Sequence, residues 1–543
     1  MMCSPRKRAA LQYTSMQCTA GPAGPINEAL GRKRCLWRAE LLMAALWILI
    51  AQAVLGLPTV SCAQTLRIGL AEDPDLLDPT LARSYVGRIV FASLCDKLFD
   101  IDENAAIVPE LATSYAWSPD NLTLTLKLRS GVTFQDGEKF DAAAVKFSLE
   151  RHKNLPGSNR RGELAPLLAV EVVDPLTVRL HLSQPFTPLL AILADRAGMM
   201  VSPKAASAAG EKFALAPVCA GPFKFTQRIA QDRIVLDRYE GYWRRSAIHF
   251  ERVVFLPIID PTVRLANLKS GQLDFVERVA PSDFAGLASD PKIRTTRIVG
   301  LSYQGITINV GKSERSKTNP LGRDARVREA LELSLDREGI VAAVSEGLAV
   351  AGNQWVAPSS PYYARSLPVP HADLPRARAL LQAAGVPHPS FSLLTPTTAE
   401  AQKLAQVIQA MAREAGFDVQ IQSTEFATSL GLADQGAFDA YVLEWSGRVD
   451  PDGNLYSFDA CKQPLNYAGY CNPEVDQLLN QARAVREPAE RAALYEKVAR
   501  QVLGDRPILY LFHRNVLWAY SAKLAGVRPV PDGLLRVVGL VLN

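Results

Sequence analysis

Short apolar strands alternate with longer amphipathic helices between about residue 301 and residue 510 of this chain. The helix predicted over residues 402–414 has the clearest apolar face, and strands are predicted over residues 418–422 and 440–444. Such alternation is typical of α/β folds, in which helices cover a mostly parallel sheet. The stretch before residue 301 is richer in strands, among them residues 121–128, where every second residue is leucine.

The length of the chain requires more than one compact lobe. After the N-terminal leader described below, about 480 residues remain, which is too many for a single hydrophobic core. We therefore predict a mixed α/β protein with at least two lobes. Its last regular elements are predicted to be two separate strands, residues 508–511 and 516–520.

The first 63 residues have the layout of a secretory signal peptide. Residues 41–57 are apolar and uncharged, basic residues precede them, and the small-residue sequence Ser61-Cys62-Ala63 follows. We predict cleavage before Gln64 and export of the remaining chain. The alternatives are a transmembrane anchor, because about 17 apolar residues are borderline for spanning a bilayer, and a lipoprotein signal that uses Cys62.

The charge balance argues against a polyanionic partner. The whole chain has a formal net charge of +5, and the seven basic and two acidic residues of the leader account for this excess. The remaining chain is neutral, so it has no global field that would attract nucleic acid. We expect no nucleic-acid partner.

Four cysteines follow the leader, and an even number in an exported chain indicates disulfides. The close pair Cys461 and Cys471 would close a short loop, and a bridge of this kind contributes roughly 2–3 kcal/mol. Cys95 and Cys219 are then the remaining pair. For this second pair, two buried free thiols are the alternative.

Residues 438–455 contain the strongest candidate ligand contacts. An apolar strand leads to Trp445, and a turn of small residues, the cation Arg448 and the acid Asp450 follow. In α/β proteins ligand contacts lie at such positions, because the strand is rigid and the loop can face a cleft. Arg448 could bind a ligand carboxylate or phosphate bidentately, or form an internal ion pair. Trp445 could stack on a ligand or belong to the core.

A second candidate segment lies in a loop bounded by glycine and proline. Asn353 and Gln354 carry amide donors and acceptors beside Trp355, and these groups suit hydrogen bonding to a peptide backbone. Tyr85, at the start of a predicted helix, is the remaining candidate contact. Near-matches to a nucleophile elbow, a P-loop and a calcium loop all have the wrong spacing, and the histidines are scattered. We therefore predict neither catalysis nor a metal or cofactor.

The order of many short motifs resembles the bacterial extracellular solute-binding proteins of family 5, which serve peptide, nickel and related ABC importers. These motifs are LDP (77–79), PELATS (109–114), LKLRSGVTFQDG (126–137), AGPFKF (220–225), LKSGQLD (268–274), VREAL (327–331), LDR (335–337), DPD (450–452) and residues 470–479. No single motif is decisive, but their number and order cover nearly all of the chain after the leader.

This resemblance implies a large α/β clamshell of the three-domain type, whose two lobes close on a ligand in the cleft between them. The implied parts are a leader (1–63), domain I (64–101 and 201–300), domain II (102–200), domain III (301–512) and a return to domain I (513–543). The resemblance also implies a periplasmic, monomeric binding protein without a cofactor, which delivers a small molecule or peptide to ABC permease subunits at the inner membrane.

Peptide-binding members of that family commonly have an acid directly after the Trp-small-Gly turn, where it pairs with the α-amino group of the peptide. Arg448 occupies that position here, so we predict an anionic or modified solute, such as an acidic peptide, an opine or a sugar-phosphate conjugate. Asp450 could still serve the amine, which leaves plain peptides open. Further alternatives are nickel as the ligand, a ligand sensor that presents its closed form to a receptor, and an exported α/β hydrolase.

Overall fold

The computed structural model describes residues 64–543. The predicted signal peptide, residues 1–63, lies outside the described residues, so its cleavage and its anchoring alternatives stay predictions. Within residues 64–543, no helix combines the length and the apolar character that a membrane crossing requires.

The strands of the described residues range from 2 to 14 residues in length. In chain order the strands are β1 Thr65–Leu70, β2 Phe99–Ile101, β3 Ile107–Pro109, β4 Ala112–Trp117, β5 Thr123–Leu128, β6 Leu167–Asp174, β7 Thr177–Leu182, β8 Phe223–Ile229, β9 Arg233–Arg238, β10 Arg252–Pro257, β11 Phe275–Val276, β12 Ile293–Val299, β13 Tyr303–Ile308, β14 Ala349–Ala351, β15 Ser390–Pro396, β16 Asp418–Thr424, β17 Ala440–Trp445, β18 Ile508–Ser521, β19 Leu524–Ala525 and β20 Val541–Leu542.

The longest helices lie in the second half of the chain, where the alternating pattern predicted them. In chain order the α-helices are α1 Tyr85–Leu94, α2 Ala142–Asn154, α3 Leu189–Leu193, α4 Pro203–Ala209, α5 Pro261–Lys269, α6 Pro281–Leu287, α7 Arg315–Thr318, α8 Pro320–Arg323, α9 Ala325–Leu333, α10 Arg337–Ser345, α11 Leu374–Ala383, α12 Ala399–Ala415, α13 Phe426–Asp434, α14 Asp452–Asp459, α15 Pro473–Ala484 and α16 Pro488–Asp505.

Strand β18 joins the two halves of a large mixed sheet. The main path of this sheet has the order β16-β15-β17-β13-β18-β11-β1-β10-β9-β8, and β12 and β14 also pair with β18. The first part of β18 pairs with β13 and β14, and its second part pairs with β11 and β12. The prediction of two separate strands was therefore wrong. His513, Arg514 and Asn515, which lie between the two predicted strands, stay paired within one continuous strand.

A second, four-stranded sheet has the order β4-β5-β7-β6. The predicted leucine alternation forms β5, whose Leu124, Leu126 and Leu128 are buried on one face. Helix α2 packs near β6, and the side chain of Asp141 caps the helix by accepting a hydrogen bond from the Ala144 amide. From the sequence we predict Asp141 as the N-cap of a helix that runs to about His152, and the observed cap confirms this prediction.

The buried hydrophobic side chains separate into two sets of residues. Each of the buried clusters draws its members either from residues 64–300 together with 513–543, or from residues 301–512. We call these sets the first lobe and the second lobe. The chain passes between them near residue 300 and again within β18. The finer division of the first lobe into two domains stays a prediction.

Both predicted cysteine pairs are disulfide-bonded. The bridge between Cys95 and Cys219 joins the end of α1 to the segment before β8, across a sequence separation of 124 residues. The bridge between Cys461 and Cys471 spans 10 residues of the loop between α14 and α15. The long bridge lies wholly within the first lobe and the short one wholly within the second, so neither restricts movement of one lobe against the other.

Candidate functional site

A cavity of about 490 Å³ lies between the two lobes. Segments around α1, residues 159–163 and the loop after β11 line it from the first lobe, whereas β13, the N-terminus of α12 and the end of β17 line it from the second. The middle of β18 also contributes to its wall. The size falls within the range of roughly 300–1,000 Å³ that small-molecule sites occupy.

At one end of the cavity, which we call the acidic end, Arg278 lies among carboxylates. It donates a hydrogen bond from Nη1 to Oε1 of Glu72 at 2.8 Å, and its Nε lies 3.5 Å from Oε2 of Glu277. The Arg278 guanidinium also lies over the ring of Tyr85, 4.8 Å from the centroid. Burial raises the pKa of Glu72, and the neighbouring Arg278 opposes that rise only in part.

Arg514, in the middle of β18, holds the other two glutamates of the acidic end. Its Nε lies 2.9 Å from Oε2 of Glu444, a second guanidinium nitrogen contacts Glu400, and Nη2 donates to Gln304. Burial raises the pKa of Glu444, although the charge of Arg278 acts against this shift. Within residues 64–543, no three His, Cys, Asp or Glu side chains are grouped so that they could hold a metal ion.

A second group of charged side chains, which we call the basic end, contains one buried carboxylate that contacts several arginines. Oδ2 of Asp195 lies 2.5 Å from Nε of Arg448 and 3.1 Å from Nη2 of Arg88, and Oδ1 lies 4.0 Å from Nε of Arg196. Burial alone would raise the pKa of Asp195, but Arg448, Arg88 and Arg196 outweigh it and hold that pKa well below its usual range.

Four more charged side chains complete the basic end, three in the first lobe and one in the second. Arg160 contacts Glu163, three residues further along the chain. Nη1 of Arg83 donates to Oδ2 of Asp434 at 2.8 Å, which is an ion pair between the lobes. Arg160 and Arg196 line the cavity although both are almost fully buried. The basic end therefore has more guanidinium groups than carboxylates.

Two of the predicted contact residues line the cavity. The hydroxyl of Tyr85 donates to the carbonyl of Gly533 at 2.6 Å, which fixes the ring at the wall. Trp445 lies at the end of β17, and its Nε1 donates to Asn454 at 2.9 Å. Its indole ring packs against Phe458 and beneath Arg448. Trp445 thus belongs both to the wall and to the core beside it.

The predicted loop contacts lie away from the cavity, in the core of the second lobe. Trp355 is fully buried and packs near Tyr495 and Tyr510. The amide of Asn353 donates to the carbonyl of Pro368 at 3.0 Å, and that of Gln354 donates to the carbonyl of Ala364 at 3.0 Å. The amide groups of Asn353 and Gln354 therefore have partners inside the lobe, and none of the three residues lines the cavity.

The two predicted charged contacts are engaged by internal ion pairs. Arg448 forms an internal ion pair, as the alternative interpretation of its sequence position proposed. Its partner is Asp195 of the first lobe and not the neighbouring Asp450. Both carboxylate oxygens of Asp450 accept hydrogen bonds from Arg491 at 2.7 Å. Neither side chain lines the cavity, so we leave both out of the proposed ligand contacts.

Most of the charged residues that line the cavity carry no signal that the sequence alone reveals. Glu444 directly precedes Trp445, but alternation along one strand cannot show which face of the strand meets a cavity. Arg160, Arg196 and Arg278 come from three separate segments that carry no motif. Only the tertiary structure brings them together.

Comparisons with known proteins agree on the type of protein. A family model described as "Bacterial extracellular solute-binding proteins, family 5 Middle" matches residues 106–466. The "Glutathione-binding protein GsiB" of Salmonella paratyphi A is 29% identical over 496 residues, which cover 89% of this chain and 95% of that protein.

Two solved structures have the same fold. The periplasmic binding protein AgaA of A. tumefaciens R10, in complex with agropinic acid, gives a TM-score of 0.80 at 26% identity and covers 88% of this chain and 99% of its own. The periplasmic binding protein DppA of Helicobacter pylori, in complex with the peptide STSA, gives 0.80 at 25% identity and covers 88% and 98%. Since the family model spans more than half of the chain, this protein belongs to family 5 of the bacterial extracellular solute-binding proteins.

Proposed function

We propose that this chain is the substrate-binding subunit of an ABC importer and that it captures a short peptide or peptide-like solute carrying more carboxylates than amines. The observation that carries this proposal is the cavity between the lobes, with a surplus of arginine at its basic end. Members of the family bind solutes, which fits the predicted absence of catalysis.

Contacts between the lobes support a closed form built around this cavity. Besides the ion pair of Arg448 with Asp195, the amide of Thr187 donates to the carbonyl of Arg483 at 2.8 Å, and Arg486 donates to Asn121 at 2.8 Å. These contacts form only when the lobes are together. A solute that bridges the cavity would stabilise the same arrangement, so ligand capture and closure are coupled.

The names of the relatives support an acidic, peptide-like solute. GsiB is called a glutathione-binding protein, AgaA was solved with agropinic acid, and DppA was solved with a peptide. Glutathione has two carboxylates and one amine, and its charge matches a cavity with a basic and an acidic end. Opines such as agropinic acid are a second candidate class on the same grounds.

The proposed cellular role follows from the family and the leader. The chain would be exported, function in the periplasm as a monomer, and deliver its solute to ABC permease subunits at the inner membrane. An importer subunit and a ligand sensor need the same cleft. Uptake of the solute by a host that lacks its own uptake system, but carries this protein and its permease, distinguishes the importer from the sensor.

Native mass spectrometry tests the ligand class. The full-length chain is expressed in a bacterial host, and the exported protein is purified gently and then titrated with glutathione, agropinic acid and an uncharged blocked tripeptide. We expect a discrete added mass for glutathione or agropinic acid, lost from a denatured control sample, and none for the blocked tripeptide. Preference for the blocked tripeptide, or chemical conversion of a bound solute, would contradict the proposal.

A further inference from the structure

We propose that Arg160 and Arg196 form an anion subsite at the basic end of the cavity and bind a carboxylate of the solute directly. This inference rests on the proposed function and names the side chains that would select an acidic solute. It differs from the sequence-based expectation, which gave that role to Arg448.

The two arginines are held side by side by a single backbone oxygen. Nη1 of Arg196 donates to the carbonyl of Ala82 at 2.8 Å, and Nη2 of Arg160 donates to the same oxygen at 3.3 Å. Two guanidinium groups that share one acceptor repel each other, because they have like charges at short range. An anion placed against both would remove this repulsion.

Both arginines keep a free donor in a nearly dry environment. Arg196 is 2% exposed and Arg160 is 4% exposed, yet both line the cavity. Among the described residues, Nε of Arg160 and Nε of Arg196 have no hydrogen-bond partner. A buried donor without a partner is costly, and an anion bound at the cavity wall beside these two guanidinium groups would offset a cost that the protein itself does not relieve.

The local charge balance points the same way. Within the basic end, five guanidinium groups face three carboxylates, and one of these carboxylates, Asp195, is shared among three arginines. Burial, reinforced by the charge of Arg160, lowers the pKa of Arg196 well below its usual range. Uncompensated buried charge destabilises a protein by several kcal/mol. A planar carboxylate fits the guanidinium geometry and supplies the missing negative charge.

The test measures stabilisation by a small dicarboxylate that has no amine. Thermal unfolding of the exported protein is followed in sodium glutarate and in sodium chloride of the same ionic strength. We expect glutarate to raise the unfolding midpoint by about 1 °C or more over chloride, through binding to the folded state only. The variants Arg196→Gln and Arg160→Gln should each lose most of this difference.

Matched controls separate a binding role from a structural one. Arg233 lies on β9, is 46% exposed and has its Nε 3.6 Å from Oδ2 of Asp232, away from the cavity lining, so Arg233→Gln should keep the full glutarate effect. Each variant is compared with its own chloride sample, so a general loss of stability cancels. If Arg196→Gln folds poorly, Arg196→Lys serves as a second variant. It keeps the positive charge and should therefore keep part of the glutarate effect. The subsite is overturned if the wild type shows no glutarate effect, or if both glutamine variants retain it in full.

The subsite and the proposed function fail in different ways. If glutarate stabilises the protein through Arg196 but neither glutathione nor agropinic acid binds, the subsite stands and the proposed solute class is wrong. If glutathione binds the wild type and Arg196→Gln equally well, the proposed function stands and the subsite is wrong.

Discussion

The two ends of the cavity use the same kinds of side chain in opposite proportions. At the basic end one carboxylate, Asp195, lies among three arginines, whereas at the acidic end Arg278 and Arg514 each lie between glutamates. Arginine–carboxylate pairing alone therefore does not describe this site. The site is better described by the net positive charge of the basic end and the net negative charge of the acidic end. These charges would fix the orientation of a solute that carries both a carboxylate and an ammonium group.

The same contrast appears in how the buried acids titrate. Arginines outweigh burial at Asp195 and hold its pKa well below the usual range, whereas burial prevails at Glu72 and Glu444 and raises the pKa of each. The basic end thus keeps its carboxylate charged at any physiological pH. The acidic end holds its negative charge less firmly, and an incoming ammonium group would stabilise it.

The largest expected effect comes from removing the shared carboxylate of the basic end. Asp195→Ala leaves Arg88, Arg196 and Arg448 buried without it, and breaking a buried pair in this way costs about 3–5 kcal/mol. The free energy of unfolding in urea measures the loss. Asp232→Ala, which removes an exposed acid beside Arg233, is the control and should change it by less than about 0.5 kcal/mol. Equal losses would show that the basic end is not a special environment.

Arg448 tests whether the basic end also holds the lobes together. Arg448→Gln removes the charge that reaches Asp195 from the second lobe, but Arg88 and Arg196 remain, so we expect a smaller loss of about 1–3 kcal/mol. Because closure rather than ligand contact is lost, affinity for every solute should fall by the same factor. Small-angle scattering should show a more open solute-free form. A loss restricted to anionic solutes would instead return Arg448 to the ligand contacts.

The pH dependence distinguishes the two ends with a smaller effect. The folded-state pKa of Glu444 lies above the usual value of 4.5, so its contribution to the free energy of unfolding is lost as pH rises from that value through the raised pKa. The contribution of Asp195, whose pKa is lowered, is instead lost as pH falls below its usual value of 3.8.

Urea unfolding at a series of pH values measures this difference. Glu444→Gln should flatten the decline above pH 4.5 relative to the wild type, whereas Glu314→Gln, an exposed control, should leave it unchanged. A decline that steepens in Glu444→Gln would mean that the ion pair with Arg514 outweighs burial there.

The smallest effect is expected at the exposed ion pair between the lobes. Arg83 and Asp434 are 35% and 41% exposed, so Asp434→Asn should cost at most about 0.5–1 kcal/mol and nothing measurable at high salt. Unfolding at low and high ionic strength checks this. If Asp434→Asn instead lowered the free energy of unfolding as much as Arg448→Gln does, and independently of salt, the Arg83–Asp434 pair would be the main ion pair that holds the lobes together.

Local patterns predicted much of the fold. The leucine alternation of β5, the Asp141 cap of α2 and the amphipathic face of α12 are encoded within a few residues of sequence, and the structure confirms each. The continuity of β18 was missed because its polar middle depends on distant partners. Arg514, in that polar middle, contacts Glu400 and Glu444 of the second lobe, and neither is near it in sequence.

The candidate site was less accessible to sequence reasoning for the same reason. Trp445 and Tyr85 follow strand and helix boundaries that local patterns mark, and both line the cavity. The sequence identifies Arg448 as a cation in the candidate segment. Its partner Asp195 lies more than two hundred residues earlier, so no local pattern could predict their ion pair. Arg160 and Arg196 become a site only through their shared contact with Ala82.

Diffraction from crystals of the exported protein grown with glutarate tests the anion subsite most directly. The predicted result is one glutarate carboxylate within hydrogen-bond distance, about 3 Å, of both Arg160 and Arg196, with the lobes closed over it. Glutarate bound elsewhere in the cavity, with only solvent against those two guanidinium groups, would contradict the assignment.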